Sequence, residues 1–529
     1  MTVAESPLEH RSRWPAYVHR IAACVVVALA ALITGCASLP SLEGRSPTTA
    51  LADTAGTLLG RALAPQAAAH PGKTGIHPFR DPRDAFAARV LLAAVAERSL
   101  DVQYYQWNGD QVGYLLFDAL WQAAERGVRV RLLLDDVGTA GLDPTIAALD
   151  AHPNIEVRLY NPVAQRDVRA LNFLTDFTRV NRRMHNKSFT ADNQASVVGG
   201  RNIGNEYFGA GSGVVFADLD VIAVGAAVRE VSSEFDLYWN SMSAYPAASL
   251  VGLPGPDGTA GLVATFASTR ADPDSVAYLD AVRTTSVVRD VIERKLAFEW
   301  TTAKVVYDDP AKTLDTTNRT DILLFPELVR STGRPETALD LVSPYFVPGE
   351  DGTAALVALA GRGVKVRILT NSLASTDVSA VHAGYAKRRR DLLRGGIELF
   401  ELKATVAHDT ESTYKVGSSS SAGLHAKTFA VDRSRIFVGS FNFDQRSARI
   451  NTEMGLVIAS SALARELAGA FDVNVPPAAY EVRLAPDGRL EWIERTALGE
   501  MRYDTEPETT WLLRSKVDLL SILPIEWLL

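Results

Sequence analysis

One residue pattern occurs twice in this chain. His185-Asn-Lys187, Asp192, Gly199-Gly200 and Asn202 recur as His425-Ala-Lys427, Asp432, Gly439-Ser440 and Asn442, 240 positions later (425 minus 185) with every internal spacing kept. Chance supplies one His-x-Lys followed by an Asp in roughly a few per cent of such chains, but not a second copy in register through to the Asn. The chain is a duplication, so its fold has to bring two equivalent lobes together. Flanking segments repeat too. Arg126-Gly-Val-Arg-Val-Arg-Leu-Leu-Leu134 returns as Arg362-Gly-Val-Lys-Val-Arg-Ile-Leu-Thr370, each after an apolar-periodic helix at 114–125 or 353–360. Strands beginning near Leu100, Ile155, Leu341 and Ile397 complete a strand-helix alternation on both sides. The expectation is an α/β protein: two α-β-α domains with central mixed or mainly parallel sheets, pseudo-twofold related, sharing one active site.

Both motifs fall in runs that read as strand, 185–189 and 424–431, where side chains two apart share a face. His185 with Lys187, and His425 with Lys427, then project into one pocket. The glycines beyond signal a tight turn or close backbone approach, after which Asn202 and Asn442 return towards it. Two imidazoles, two ammonium groups and two amides suit a phosphodiester: cations and amides offset the non-bridging oxygens, one imidazole attacks phosphorus, and the other protonates the leaving oxygen. No metal or other cofactor is called for, since Lys is a poor ligand at neutral pH and neither H-E-x-x-H nor a Cys/His cluster occurs. Asp192 and Asp432, five after the Lys, fall on the opposite strand face and read as supporting groups, with Gly200 and Ser440. An acid for each imidazole is expected from its own half: Glu453, 28 residues after His425, and Asp220, 35 after His185, each fixing tautomer and ring orientation. Arg183 lies on the strand face of His185; Asp135-Asp136, Asn205-Glu206 and Arg446-Ser447 are candidates for the pocket edge.

These residues resemble the phospholipase D superfamily, whose members carry an H-K-D motif twice and work through a phosphohistidine. The wording Asn181-Arg-Arg-Met-His-Asn-Lys-Ser-Phe, Gly199-Gly-Arg-Asn-Ile-Gly-Asn-Glu-Tyr-Phe and Asp218-Leu-Asp220-Val is similar to the bacterial cardiolipin synthase branch, from about residue 75 onwards. The resemblance implies transfer of a phosphatidyl group to His, then to a glycerol hydroxyl of phosphatidylglycerol, with phosphatidylethanolamine as a possible second lipid. It favours His185 as nucleophile and His425 as acid, then base. Hydrolysis to phosphatidic acid, and a non-catalytic lipoprotein scaffold, remain as alternatives.

Arg11, Arg13 and Arg20 precede an apolar run, 21–33, ending Ile33-Thr34-Gly35-Cys36. This reads as a secretory signal rather than a spanning helix. Ile-Thr-Gly-Cys resembles the lipobox, which implies lipidation of Cys36; an uncleaved anchor is the alternative. The expected organisation is a lipoprotein-type signal peptide over 1–35, a flexible tether over 36–72, one domain over 73–255 and a second over 256–529 with an apolar tail. The expected location is the cell envelope, lipid-anchored and facing the periplasm, with Ala37 favouring the outer membrane by family resemblance. A chain at −8, near −9 without residues 1–35, opposes nucleic acid as substrate, as does such an anchor. Lys387-Arg-Arg-Arg390 reads as a solvated face. The tail, from Trp511-Leu-Leu to Trp527-Leu-Leu529, reads either as a docked final helix or as a contact with a membrane surface.

Overall fold

The computed structural model describes residues 38–529 apart from 212–214, 294, 316, 318, 405–421, 497 and 525. Cys36 and the apolar run before it lie outside the described residues. Among those described, no helix is long and apolar enough to cross a membrane.

Two large sheets form the two lobes. In the first, nine strands run in the order Glu299–Thr301, Thr74–Phe79, Asp220–Gly225, Ala195–Gly199, Ser188–Ala191, Ser99–Tyr104, Arg129–Asp135, Ile155–Tyr160, Ala244–Pro246. The second has ten: Ala303–Tyr307, Met454–Ile458, Arg435–Gly439, Lys427–Val431, Ala338–Val342, Lys365–Asn371, Glu398–Leu402, then three antiparallel strands from Ala479 to Tyr503. The sheets are mixed. Parallel pairing joins only the three strands of each β-α-β-α-β unit, such as Ser99–Tyr104, Arg129–Asp135 and Ile155–Tyr160. Each motif forms a hairpin beside that unit, turning at Asp192-Asn193 or Asp432-Arg433 with all four residues at φ near +50°. That geometry matches the twist of antiparallel strands and sets the reversal.

The twofold relation extends into the core. Arg131 meets Asp101 at 2.7 Å and Arg367 meets Asp340 at 2.5 Å, equivalent buried pairs across the parallel strands of each lobe. Between the lobes one apolar cluster is shared, with Val198, Leu219 and Val221 of the first against Val305, Val438 and Leu456 of the second.

Two expected boundaries move. The break placed near residue 255 falls at Thr302, between strand Glu299–Thr301 of the first sheet and strand Ala303–Tyr307 of the second. Helices Gly258–Ala271, Pro273–Arg283 and Ser286–Ile292 cover the first lobe, inserting Leu262, Phe266, Tyr278 and Val282 into its core. The tether is also shorter than 36–72. Residues 45–50 are strapped onto the first lobe because extended chain offers its carbonyls to arginines of the parallel strands: Ser46 to Arg158, Thr48 to Arg131, Thr49 to Arg129. Helix Leu58–Ala69 follows.

Candidate active site

His185-Asn186-Lys187 lies in extended chain just before strand Ser188–Ala191, and Lys427 opens strand Lys427–Val431, so the motifs lead into the expected strands. Each is stapled to the other lobe. The His185 N–H donates to the Thr452 carbonyl at 2.8 Å, and the Thr452 N–H to the Arg183 carbonyl at 2.9 Å. Likewise, the His425 N–H donates to the Ala217 carbonyl at 2.9 Å, where strand Val215–Ala217 runs parallel to Ala422–Leu424.

The residue after each of those carbonyls supplies the acid. Glu453 Oε2 lies 2.8 Å from His185 Nδ1, and Asp218 Oδ2 lies 2.6 Å from His425 Nδ1. Both buried carboxylates serve the imidazole of the opposite lobe, which corrects the expected pairing within halves. Strand register explains why the acid is Asp218 and not Asp220. Ser440 N–H donates to Met454 O, and Gly200 N–H donates to Leu219 O, so Leu219 matches Met454 and Asp218 matches Glu453. Asp220 is turned away from both rings, into buried ion pairs with Arg89 at 2.8 Å and Arg201 at 3.5 Å.

The other motif residues hold this geometry. Asp192 accepts from the backbone N–H of Glu97, Arg98 and Ser99, and Asp432 from those of Glu336, Thr337 and Ala338, tying each hairpin turn to the start of the neighbouring strand. Gly199 and Gly200 are required by close approach, since a Cβ would lie 2.0 Å from Asp220 Oδ1 or 2.2 Å from Asp218 Oδ1. Ser440, in place of Gly200, donates its hydroxyl to Glu453 Oε2, and Ser447 donates to Oε1 at 2.7 Å. Arg183 is paired with Asp135, whose other oxygen accepts the Met184 N–H. Asp136 holds Arg166, and Asn205 and Glu206 hold Val112 N–H and Asn108.

Lys187 and Lys427 each donate Nζ to the carbonyl of their own His. Lys427 Nζ also lies 2.9 Å from His425 Nδ1, a proximity and not a bond while that nitrogen donates to Asp218. Tyr105 packs edge-on against His185 at 5.0 Å, and Tyr207 against His425 at 4.9 Å. Asn202 donates to the Tyr207 hydroxyl at 3.0 Å. Asn442 N–H donates to Ser447 Oγ, on the Glu453 side. Both carboxamides are buried, and Oδ1 of each has no hydrogen-bond partner among the described residues.

Burial dominates the electrostatics. It lowers His185 to about 4, against the opposing pull of Glu453 and with help from Lys187 and Lys427. His425 falls to about 3, by burial and then Lys427. Burial also brings Lys427 to about 8 and Lys187 well below its ordinary value. Asp218 is held at about 2, because His425 and Lys427 outweigh the upward push of burial; Glu453 is lowered by His185 in the same way. Lys427 acts on His185 and Lys187 on His425, so both pairs occupy one electrostatic neighbourhood. Neutral rings with Nδ1–H committed to carboxylates leave both Nε2 lone pairs available.

Several contributors were not apparent in the sequence. Asp218 and Asp220 lie two residues apart in Asp218-Leu219-Asp220, and only strand register selects the first. Glu234 is buried, pushed up to about 8 by desolvation, and accepts from Gln103 and Asn186 at 2.6 Å each. Asn186 in turn accepts from Thr452 Oγ1. The second motif has Ala426 in that place, so this network supports His185 alone.

Two α/β lobes that exchange carboxylates across a central pair of His-Lys motifs define a protein of the phospholipase D type. The chain belongs to the family described as cardiolipin synthase, phospholipase D-like domain, whose model matches residues 92–239 and again 328–474. Cardiolipin synthase C of Escherichia coli (strain K12) is 46% identical over 476 residues, which span 89% of this chain and 99% of that one. Major cardiolipin synthase ClsA of Bacillus subtilis (strain 168) is 25% identical over 398 residues, 74% of this chain and 67% of its own. The crystal structure of a phosphatidylserine synthase from Haemophilus influenzae Rd KW20 shares the fold, with TM-score 0.52 at 11% identity over 89% of this chain and 100% of that one.

Asp218→Asn and Glu453→Gln should each lower kcat by about 10³–10⁴, the scale set by losing the acid that orients a catalytic imidazole, with melting little changed. Asp220→Ala should instead strand the buried Arg89 and cost about 3–5 kcal/mol of stability, read as a lower Tm. In a pH profile, an imidazole lowered to about 4 stays neutral down to that pH. The acid limb of kcat/KM should therefore lie well below 6.5 and move lower still in Glu453→Gln, which loses a charge that raises His185. An acid limb at the ordinary histidine value would contradict this environment.

Proposed function

We propose that this protein is a phosphatidyltransferase that forms cardiolipin from phosphatidylglycerol and a second phospholipid through a phosphohistidine. The observation that carries it is the crossed carboxylate-imidazole pair, which commits each Nδ1 and leaves two Nε2 atoms for in-line chemistry. His185 Nε2 attacks phosphorus, forming an N–P bond as the bond to the head-group oxygen breaks; His425 gives that oxygen its proton. His425 then takes the proton of a phosphatidylglycerol hydroxyl as its oxygen attacks phosphorus, forming the new P–O bond and releasing His185. The incoming phosphodiester charge raises the lowered imidazole that faces the leaving oxygen, so substrate binding supplies the proton affinity that the free site lacks. It likewise favours the charged forms of Lys187 and Lys427. Asn202 and Asn442 carry free carbonyl capacity that suits an alcohol acceptor.

The similarity to cardiolipin synthases supports this reading, and membrane phospholipids are the matching substrates. We place the enzyme in the cell envelope, anchored through Cys36 and facing the periplasm at the outer membrane, on the signal pattern alone.

Purified protein incubated with phosphatidylglycerol, with or without phosphatidylethanolamine, should yield cardiolipin; phosphatidic acid as the sole product would make it a hydrolase, and no turnover a scaffold. With a donor bearing a good leaving group, His425→Ala should accumulate phosphatidyl-enzyme and His185→Ala should not, and the reverse pattern would exchange the two roles.

A further inference from the structure

The last helix is apolar on two sides, and among the described residues only one is covered. Helix Trp511–Ile522 packs Leu513, Val517 and Leu520 against Leu373 and Ala383, on helix Ser379–Arg394 and the loop before it. On the other side Trp511 is 70% exposed, Leu512 64%, Leu519 66% and Ile522 78%, and Trp527 beyond the helix is 60% exposed. At about 100° per residue, Trp511, Ile522, Ser515, Leu519, Leu512 and Leu523 fall within a stripe of roughly 120° that contains no charged residue. Exposed Lys516 borders one edge of it and exposed Asp518 the other.

This surface is joined to the catalytic centre. The Leu523 carbonyl accepts from Lys387, Glu526 pairs with Arg388, and the Leu528 and Leu529 carbonyls accept from Arg446. The basic run at 387–390, expected to be a solvated face, thus spends two of its cations holding the tail. Arg446 also binds Asn181, four residues before His185, and its neighbour Ser447 holds Glu453. Residues Glu526–Leu528 pack on helix Gln445–Arg449, one wall of an apolar cleft of about 480 Å³ lined by Phe325, Val347, Phe441, Phe443, Arg182 and Arg449.

We infer that the C-terminal helix and tail are a docking element for a phospholipid bilayer surface, seating the second lobe so that the catalytic mouth meets lipid. The inference rests on the phospholipid substrate proposed above. An exposed tryptophan opening an uncharged, mainly apolar stripe, with a second exposed tryptophan just beyond the helix and charges kept to the borders of the stripe, matches the interfacial zone of a bilayer, where indole rings lodge between acyl chains and head groups. A soluble substrate would not require such a surface, whereas one embedded in a membrane does.

The test uses the full chain and the variant Leu512→Ser/Leu519→Ser/Ile522→Ser/Trp527→Ser. Turnover is measured on phosphatidylglycerol-phosphatidylethanolamine vesicles and on short-chain phosphatidylglycerol dissolved as monomers. The expected result is at least a tenfold loss on vesicles, an unchanged rate on monomers and an unchanged melting temperature. Equal vesicle rates would overturn the inference. So would a lowered melting temperature, which means that protein covers the face, or a change of oligomeric state with vesicle turnover intact, which means that a second copy does. A readout independent of turnover is quenching of tryptophan fluorescence by vesicles of bromo-acyl phosphatidylglycerol: strong for the native chain, and largely lost in Trp511→Phe/Trp527→Phe. Native protein inactive on both lipid forms would end the phosphatidyl-transfer reading, and the quenching would still decide the docking.

Discussion

Each lobe lends its acid to the imidazole of the other, and the rest of the molecule keeps that exchange in register. Thr452-Glu453 and Ala217-Asp218 do the same two things: a main-chain carbonyl takes the histidine N–H, and the next side chain takes Nδ1. Ring position and ring tautomer are therefore set by one dipeptide in each case. The shared apolar cluster beneath, with Val198 and Leu219 against Val438 and Leu456, fixes the distance over which the exchange operates.

Burial then shapes the chemistry. Neutral imidazoles and lowered ammonium groups make a centre poor in mobile protons and prepared for an anion, while two ionised carboxylates keep it from being strongly cationic. Symmetry is broken only slightly. Asn186 with Glu234 backs one histidine, and among the described residues nothing equivalent backs the other, where Ala426 replaces the amide.

Much of this was legible in the sequence, for identifiable reasons. The spacing from His to Asn survives duplication because it encodes a hairpin whose turn, Asp192-Asn193 or Asp432-Arg433, must fall at a set point. Strand parity separates the motif carboxylates from the His and Lys side chains, and they bind the starts of the adjacent strands. Partner choice between lobes was not legible, since periodicity within one segment says nothing about which lobe lies opposite. Asp218 and Asp220 share a strand face by parity, and only pairing with Ala195–Gly199 assigns one to a ring and the other to Arg89. Helices from 258 to 292 have apolar residues that fit either lobe equally well on pattern, and contact alone places them on the first. The segment 45–50 reads as linker because its binding is made by main-chain carbonyls, which composition does not register.

The exchange also constrains how the two copies can drift apart. Asp218 and Glu453 differ by one methylene, and the longer acid is steadied by Ser440 and Ser447 where the first copy has a glycine at the position of Ser440. Because the ring that each acid serves is encoded 207 or 268 codons away, a change in one half must be answered in the other. Although the gene repeats itself, neither repeat is a spare.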